Sequence, residues 1–292
     1  MKLTSEQVQA FREEGVVVVE NVVTNEDLAP LIGAYEKWID NRARELQTKG
    51  EISELHEEAP FEKRIGLLYE QTPHITDGLD IMQARLPEMF EFLRNESLLD
   101  AVESLIGPEI TCSPIQHIRA KPPAKASGTG AGFFNVPWHQ DSGVTWDEAD
   151  NSEIVTCWMA LVDATIENGC MEVLPGAWKK GHLTHQAEGG TTIRPDLMPE
   201  IQPRPVPVKK GGVVFMHRHT PHRSTPNFSD HVRWSLDMRF QPAGTPTGRP
   251  FHPDFIARSK ANPQSVLTDW QTWDQLWAEA LAKPSPGAHR VK

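Results

Sequence analysis

Trp138-His139-Gln140-Asp141 sets an imidazole and a carboxylate two residues apart. In an extended strand, residues i and i+2 point to one face, so both groups can bite one metal ion. A third ligand must come from elsewhere. The run His217-Arg218-His219-Thr220-Pro221-His222-Arg223-Ser224, followed by Arg233, offers it on a distant strand. Two histidines and one carboxylate make the facial triad that holds a non-haem Fe(II) and leaves positions open for O2. A lone His-x-Asp is more often a surface turn with a solvated Asp; here the surroundings favour the metal. Ile115-Gln116-His117-Ile118-Arg119-Ala120-Lys121-Pro122-Pro123 reads as a strand ended by prolines. Residues 154–162 read as a buried strand, and residues 167–178 as a turn, a short strand and another turn.

The rest of the chain fits a metal-bearing β core. Of 292 residues, 38% are hydrophobic and 24% charged, a globular composition with length for a sizeable core. The net charge is −11, and no basic run exceeds a Lys pair such as Lys179-Lys180, which argues against nucleic acid and anionic membranes as partners. Neither a secretory leader nor a membrane-spanning run is visible. Cys112, Cys157 and Cys170 are widely spaced in apolar contexts, as expected of buried reduced thiols in a cytoplasmic protein.

Thr4 with Gln7 begins a capping pattern for a helix to about Glu14, ended by Gly15; Val16 to Val19 reads as a strand. Asn25 is the expected cap of a helix reaching about Leu46, with Leu28, Leu31, Ile32, Tyr35 and Ile39 at helical spacing. Residues 50–65 are polar and carry no clear pattern. Leu86 to Ile106 has helical spacing interrupted at Asn95-Glu96-Ser97. From Glu109 to Phe240 short strands alternate with Gly, Pro and Asn turns. The tail is predicted helical, with Trp270, Trp273, Leu276, Trp277 and Leu281 on one face that packs in the core or against a second copy of the chain. The expected organisation is one domain over 1–292: a mostly helical part (1–108), a β core (109–242) and a C-terminal extension (243–292). Helices preceding short strands indicate an α+β protein with a curled β core.

His139-Gln140-Asp141, Trp158, Glu167-Asn168-Gly169-Cys170, Leu174-Pro175-Gly176, then His222, Ser224, Asn227 and Arg233, taken in that order, resemble the phytanoyl-CoA dioxygenase family of Fe(II)- and 2-oxoglutarate-dependent oxygenases. The resemblance runs over about residues 5–242 and is densest from His117 to Phe240. One departure is Ala177-Trp178, where the family more often has Ser-His. The resemblance implies a double-stranded β-helix, a jelly-roll-like barrel, with the N-terminal helices packed on one sheet. It also implies a reaction in which 2-oxoglutarate and O2 give succinate and CO2 while a small-molecule substrate is hydroxylated.

Spacing alone leaves three histidines in 217–222. The resemblance selects His222, because the family's distal ligand is followed by a serine at +2 and an arginine at about +11; His217 and His219 then belong to a polar rim. Arg233 suits the distal carboxylate of 2-oxoglutarate, since a guanidinium fork matches a planar carboxylate; its bland alternative is an ion pair with Asp230 or Asp237. Ser224 can donate to the same carboxylate. Gln140 and Trp158 match family positions lining the co-substrate pocket, and His117 can point inward or sit in the core. Arg119, Trp146, Arg218 and Arg239 are candidates for the substrate side, where they favour a small anionic or polar molecule. Asp141 argues against halogenation, because halogenating relatives leave that position to chloride. Two other readings compete: a cupin-type metal enzyme that does not use 2-oxoglutarate, and a catalytically silent ligand-binding protein.

Overall fold

In the computed structural model, which describes residues 1–187, 190–287 and 290, the strands fall into two main sheets. They are β1 (Val16–Val19), β2 (Ile110–Cys112), β3 (His117–Lys121), β4 (Val155–Ala160), β5 (Met171–Val173), β6 (His185–Gln186), β7 (Thr192–Ile193), β8 (Arg204–Val206), β9 (Val213–His217), β10 (His222–Ser224), β11 (Arg233–Pro242) and β12 (Phe255–Arg258). The larger sheet runs β1-β9-β4-β11-β2-β12, with β3 also paired to β11; the smaller runs β10-β5-β8. All these pairings are antiparallel. The two sheets face each other as a jelly-roll-like core. The last residues of the expected extension, 288, 289, 291 and 292, lie outside the described residues.

The central strand β11 shows how the core is divided. Its even residues Trp234, Leu236, Met238 and Phe240 are buried in the cluster shared with the helices. The period of two sends Arg233, Ser235, Asp237 and Arg239 to the opposite face. The helical layer consists of α1 (Ser5–Glu14), α2 (Asn25–Thr48), α3 (Phe61–Gln71), α4 (Ile81–Ala84), α5 (Pro87–Phe92) and α6 (Glu96–Ile106), followed later by α7 (Ala124–Ser127) and α8 (Trp270–Leu281). In α2, Leu28, Leu31, Tyr35, Ile39, Ala43 and Leu46 form the buried stripe. The two layers meet at Trp234, whose ring stacks on Phe61 at 4.5 Å and whose indole N–H donates to the Phe61 carbonyl at 3.2 Å.

Several local readings hold. Thr4 and Gln7 form the expected capping box. Gly15 ends α1 at φ 74°, and any Cβ there would meet the Trp178 ring at 2.2 Å, so the residue departing from the family pattern at 178 packs on the end of this helix. Others need correction. Thr24, not Asn25, caps α2, since its hydroxyl accepts from the Asp27 amide. Residues 61–71 form a helix despite the polar run before them, because Phe61, Ile65 and Leu68 share one buried face. Of the tail stripe, only Trp273 and Trp277 are buried; they pack on Phe90 and His252 of the same chain, while Leu276 and Leu281 are exposed.

Because Trp234 joins both layers, Trp234→Ala should cost about 3–5 kcal/mol of unfolding free energy, the usual range for truncating a buried aromatic. Urea denaturation followed by far-UV circular dichroism measures this, and a loss below about 1 kcal/mol contradicts the assigned packing.

Candidate metal centre and cavity

His139 and His222 face each other across a two-residue antiparallel bridge. The His139 amide donates to the His222 carbonyl at 3.0 Å, and the His222 amide to the His139 carbonyl at 2.9 Å. Their rings lie 4.1 Å apart, centre to centre. In each, Nδ1 lies 2.9 Å from the carbonyl two residues earlier, Pro137 for His139 and Thr220 for His222. Donation there leaves Nε2 as the free lone pair, the arrangement that prepares a histidine to ligate a metal. Asp141 does not continue a strand, as the spacing suggested; it opens a short 3-10 turn, Asp141–Val144. The turn still delivers its carboxylate, whose Oδ1 is 4.0 Å from His222 Nε2. One donor atom from each of His139, Asp141 and His222 lies within 4.8 Å of the others, and among the described residues this is the cluster that could hold a metal.

Electrostatics also fit a cation. Burial, reinforced by the neighbouring His222, pushes His139 down to about 3, so its imidazole is neutral and available. Burial opposes ionisation of Asp141, but the Arg239 guanidinium, 2.5 Å from Oδ1, overcomes it and holds the carboxyl far below the usual carboxylate range. The Thr156 hydroxyl donates to Oδ2. Two imidazoles, that of His139 neutral, and an ionised carboxylate are the donor set expected for Fe(II).

The triad opens into a cavity of about 740 Å³ between the two sheets. Arg233 and Trp158 line it, with the guanidinium 5.0 Å over the indole, and Ser224 lies beside them. Arg233 donates to Ser235 at 2.6 Å and to Ser224 at 3.4 Å, and its Nε has no partner among the described residues. It pairs with neither Asp230, which Lys63 takes, nor Asp237. Ser224 stands two residues beyond His222 on β10. That step of about 6–7 Å matches the length of a five-carbon diacid between the metal and Arg233.

Lys121, paired with Arg233 across β3 and β11, belongs to the same end and was not singled out from the sequence. Its ammonium donates to Ser224 and to the Thr225 carbonyl and has no carboxylate partner among the described residues. Burial and then the Arg233 charge pull it down to about 6. The available signal was alternation: His117, Arg119 and Lys121 share one strand face, and all three line the cavity.

Other expectations separate. His117 lines the cavity farther along β3, with Nδ1 held 2.7 Å from Asp80. Gln140 is not brought to the cavity: being adjacent to His139, it faces the other way. Its amide is used by the carbonyls of Gly181 and His219 and the amide of Leu183. Arg119 and Arg239 line the cavity, whereas Arg218 is buried against Ala149, Ser152 and Thr145, and the Trp146 indole donates to Gly287. His217 and His219 stay outside the triad; His217 packs on Trp178 at 4.6 Å.

Comparisons agree with this geometry. The phytanoyl-CoA dioxygenase (PhyH) family profile matches residues 11–235. Human "Phytanoyl-CoA dioxygenase, peroxisomal" is 27% identical over 252 residues, covering 82% of this chain and 69% of the relative. "Phytanoyl-CoA dioxygenase domain-containing protein 1 homolog" of Dictyostelium discoideum is 26% identical, covering 82% and 92%. Among solved structures, the apo non-heme monooxygenase ThoJ superposes with a TM-score of 0.64 at 21% identity, covering 94% of this chain and 95% of that one. The epimerase SnoN, in complex with Fe3+, alpha ketoglutarate and nogalamycin RO, superposes at 0.57 with 21% identity, covering 83% and 86%.

His139→Ala or His222→Ala should abolish one-to-one Mn(II) or Fe(II) binding by calorimetry with the circular dichroism spectrum retained, while His219→Ala keeps it. Full metal stoichiometry in His222→Ala shows that another histidine is the ligand. Lys121 gives a pH dependence. Above about pH 6 it is neutral in the free protein. A dianion bound beside it restores the charge and takes up one proton, so 2-oxoglutarate affinity should weaken as pH rises above about 6, by up to tenfold per unit. Lys121→Met should flatten that slope; the same slope in the variant assigns the proton elsewhere.

Proposed function

Because this chain belongs to the phytanoyl-CoA dioxygenase family of iron- and 2-oxoglutarate-dependent oxygenases, we propose that His139, Asp141 and His222 hold its Fe(II), that Arg233, Lys121 and Ser224 hold 2-oxoglutarate, and that the reaction hydroxylates a small molecule. The observation that carries this reading is the pair Arg233 and Lys121, both buried, gathered around Ser224 two residues along β10 from His222, and ion-paired with no carboxylate among the described residues. Burial and the neighbouring Arg233 charge oppose protonation of Lys121, and an anion bound between the two would relieve that cost. A cupin-type enzyme without 2-oxoglutarate, or a silent binding protein, gives them no task.

Bound iron supplies the O2 chemistry that converts 2-oxoglutarate, O2 and a substrate C–H into succinate, CO2 and C–OH. The chain's residues bind and orient. The guanidinium of Arg233, stacked on Trp158, forms a fork for the distal carboxylate, and Ser224 adds a hydroxyl. Arg239 and Thr156 fix both oxygens of Asp141 and so its rotation. Phe134, Met82 and Ile115, with the exposed Phe133, give the cavity a partly apolar wall. The buried, unbridged thiols of Cys112, Cys157 and Cys170 support a reducing compartment such as the cytoplasm. Among the described residues no helix is long and apolar enough to cross a membrane.

Anaerobic titration with Fe(II) and then 2-oxoglutarate should give one site for each, and admitting O2 with a substrate should raise succinate formation. Arg233→Ala should weaken 2-oxoglutarate binding by more than tenfold with iron binding unchanged, since leaving a buried charge partnerless costs on the order of 2–5 kcal/mol. With 18O2, label should enter succinate and, at least in part, a product heavier by one oxygen. Substrate oxidation at full rate without 2-oxoglutarate, or a chlorinated product in chloride buffer, contradicts the assignment.

A further inference from the structure

The charged groups lining the cavity can be paired off. Arg119 lies 3.9 Å from Asp237, Arg239 is 2.5 Å from Asp141, and Asp80 is 2.7 Å from His117. On the reading above, Arg233 and Lys121 take the distal carboxylate of the co-substrate, and its other carboxylate offsets part of the Fe(II) charge. Arg249 remains. It lines the same cavity, and no carboxylate among the described residues forms an ion pair with it.

Arg249 is held in place by backbone. Its Nε donates to the Val144 carbonyl at 2.9 Å, at the end of the turn that begins with Asp141. Beside it, the Trp146 amide donates to the Gly248 carbonyl at 2.9 Å. Gly248 has φ 72°, and a Cβ there would meet Thr145 at 2.5 Å, so only glycine lets this loop approach so closely. The guanidinium, half-buried, is thereby held beside the turn that begins at Asp141, with its two terminal nitrogens free of any hydrogen bond among the described residues. Burial, and then the charge of nearby Arg239, pull it down to about 10. Iron increases the imbalance, because a metal on Asp141 competes with Arg239 for the same carboxylate. A chain of net charge −11 therefore gathers surplus positive charge along the wall of this cavity.

We propose that Arg249 is the anchor for an oxyanion, a carboxylate or phosphate, on the primary substrate. The cavity thus takes a compact molecule with an apolar body against Phe133, Phe134 and Met82 and one anionic group toward Arg249. This rests on the 2-oxoglutarate reading, which assigns Arg233 and Lys121 elsewhere.

The test uses the full chain loaded with Mn(II) and saturating 2-oxoglutarate, titrated calorimetrically with phenylacetate, phenylacetamide and inorganic phosphate. Phenylacetate or phosphate should bind saturably, and which one binds identifies the anion. Phenylacetamide should bind at least tenfold more weakly than its acid. Arg249→Gln should lose the oxyanion binding, with Mn(II) stoichiometry and 2-oxoglutarate affinity unchanged. Arg249→Lys, which keeps the charge without the fork, should retain part of it and serves if the glutamine variant is unstable. Equal binding of acid and amide, no saturable oxyanion binding, or undiminished oxyanion binding in both variants overturns the proposal. If the wild type fails to bind Mn(II) or 2-oxoglutarate, the function reading falls instead, and the difference between wild type and Arg249→Gln in oxyanion binding still reports on this site.

Discussion

The reciprocal backbone hydrogen bonds between His139 and His222 are the constraint on which the rest of the site depends. They bring two distant segments into one register and turn two imidazoles toward each other before any metal arrives. Each ring is then locked by its own chain, through Nδ1 and the carbonyl two residues back. From this bridge the other positions follow by counting. Asp141 is two steps onward on one segment, and Ser224 is two steps onward on the other. The larger sheet supplies the complementary row, where β11 presents Arg233 and Arg239 at opposite ends of one face.

What the sequence made legible was periodic or chemically singular. The triad stood out because its residue types have few alternative uses together, and Arg233 stood out by its place eleven residues after His222 and by a fork that matches a planar carboxylate. The capping box at Thr4 and the buried stripe of α2 are local patterns, and local patterns persist in the fold. The misreadings have physical causes. Gln140 was grouped with its neighbours along the chain, but adjacent residues in extended backbone face opposite ways. Arg218 looked like a cavity residue because a buried guanidinium satisfied by carbonyls cannot be told from a free one without the tertiary contacts. Arg249 carried no signal, since its position is set by a Pro- and Gly-rich loop docking on a turn remote in sequence. The expectation of a strand through Asp141 failed in backbone conformation yet kept its consequence, because the turn begins at that residue.

Charge is unevenly distributed in the molecule. An acidic exterior surrounds a cavity whose wall is rich in guanidinium groups. The guanidinium wall favours a small anion once inside, while the acidic exterior opposes its approach. Within the cavity, Arg239 and Thr156 keep Asp141 ionised and oriented, so this carboxylate needs no deprotonation to ligate a metal. That organisation limits the rearrangement needed when a cation enters.

The contrast between β11 and the loop at Gly248-Arg249 bears on how such a chain can diversify. Arg233 and Arg239 sit on one ten-residue strand paired on both sides, so a one-residue slip would reverse every side chain, and an insertion between them would turn one of the two away from the site. Arg249 sits on a connection between β11 and β12, where length and composition can change without disturbing the ladder. Inheritance can therefore hold the oxidative machinery still while sampling new guests, because the parts that perform the chemistry and the part that grips the guest are under separate mechanical control.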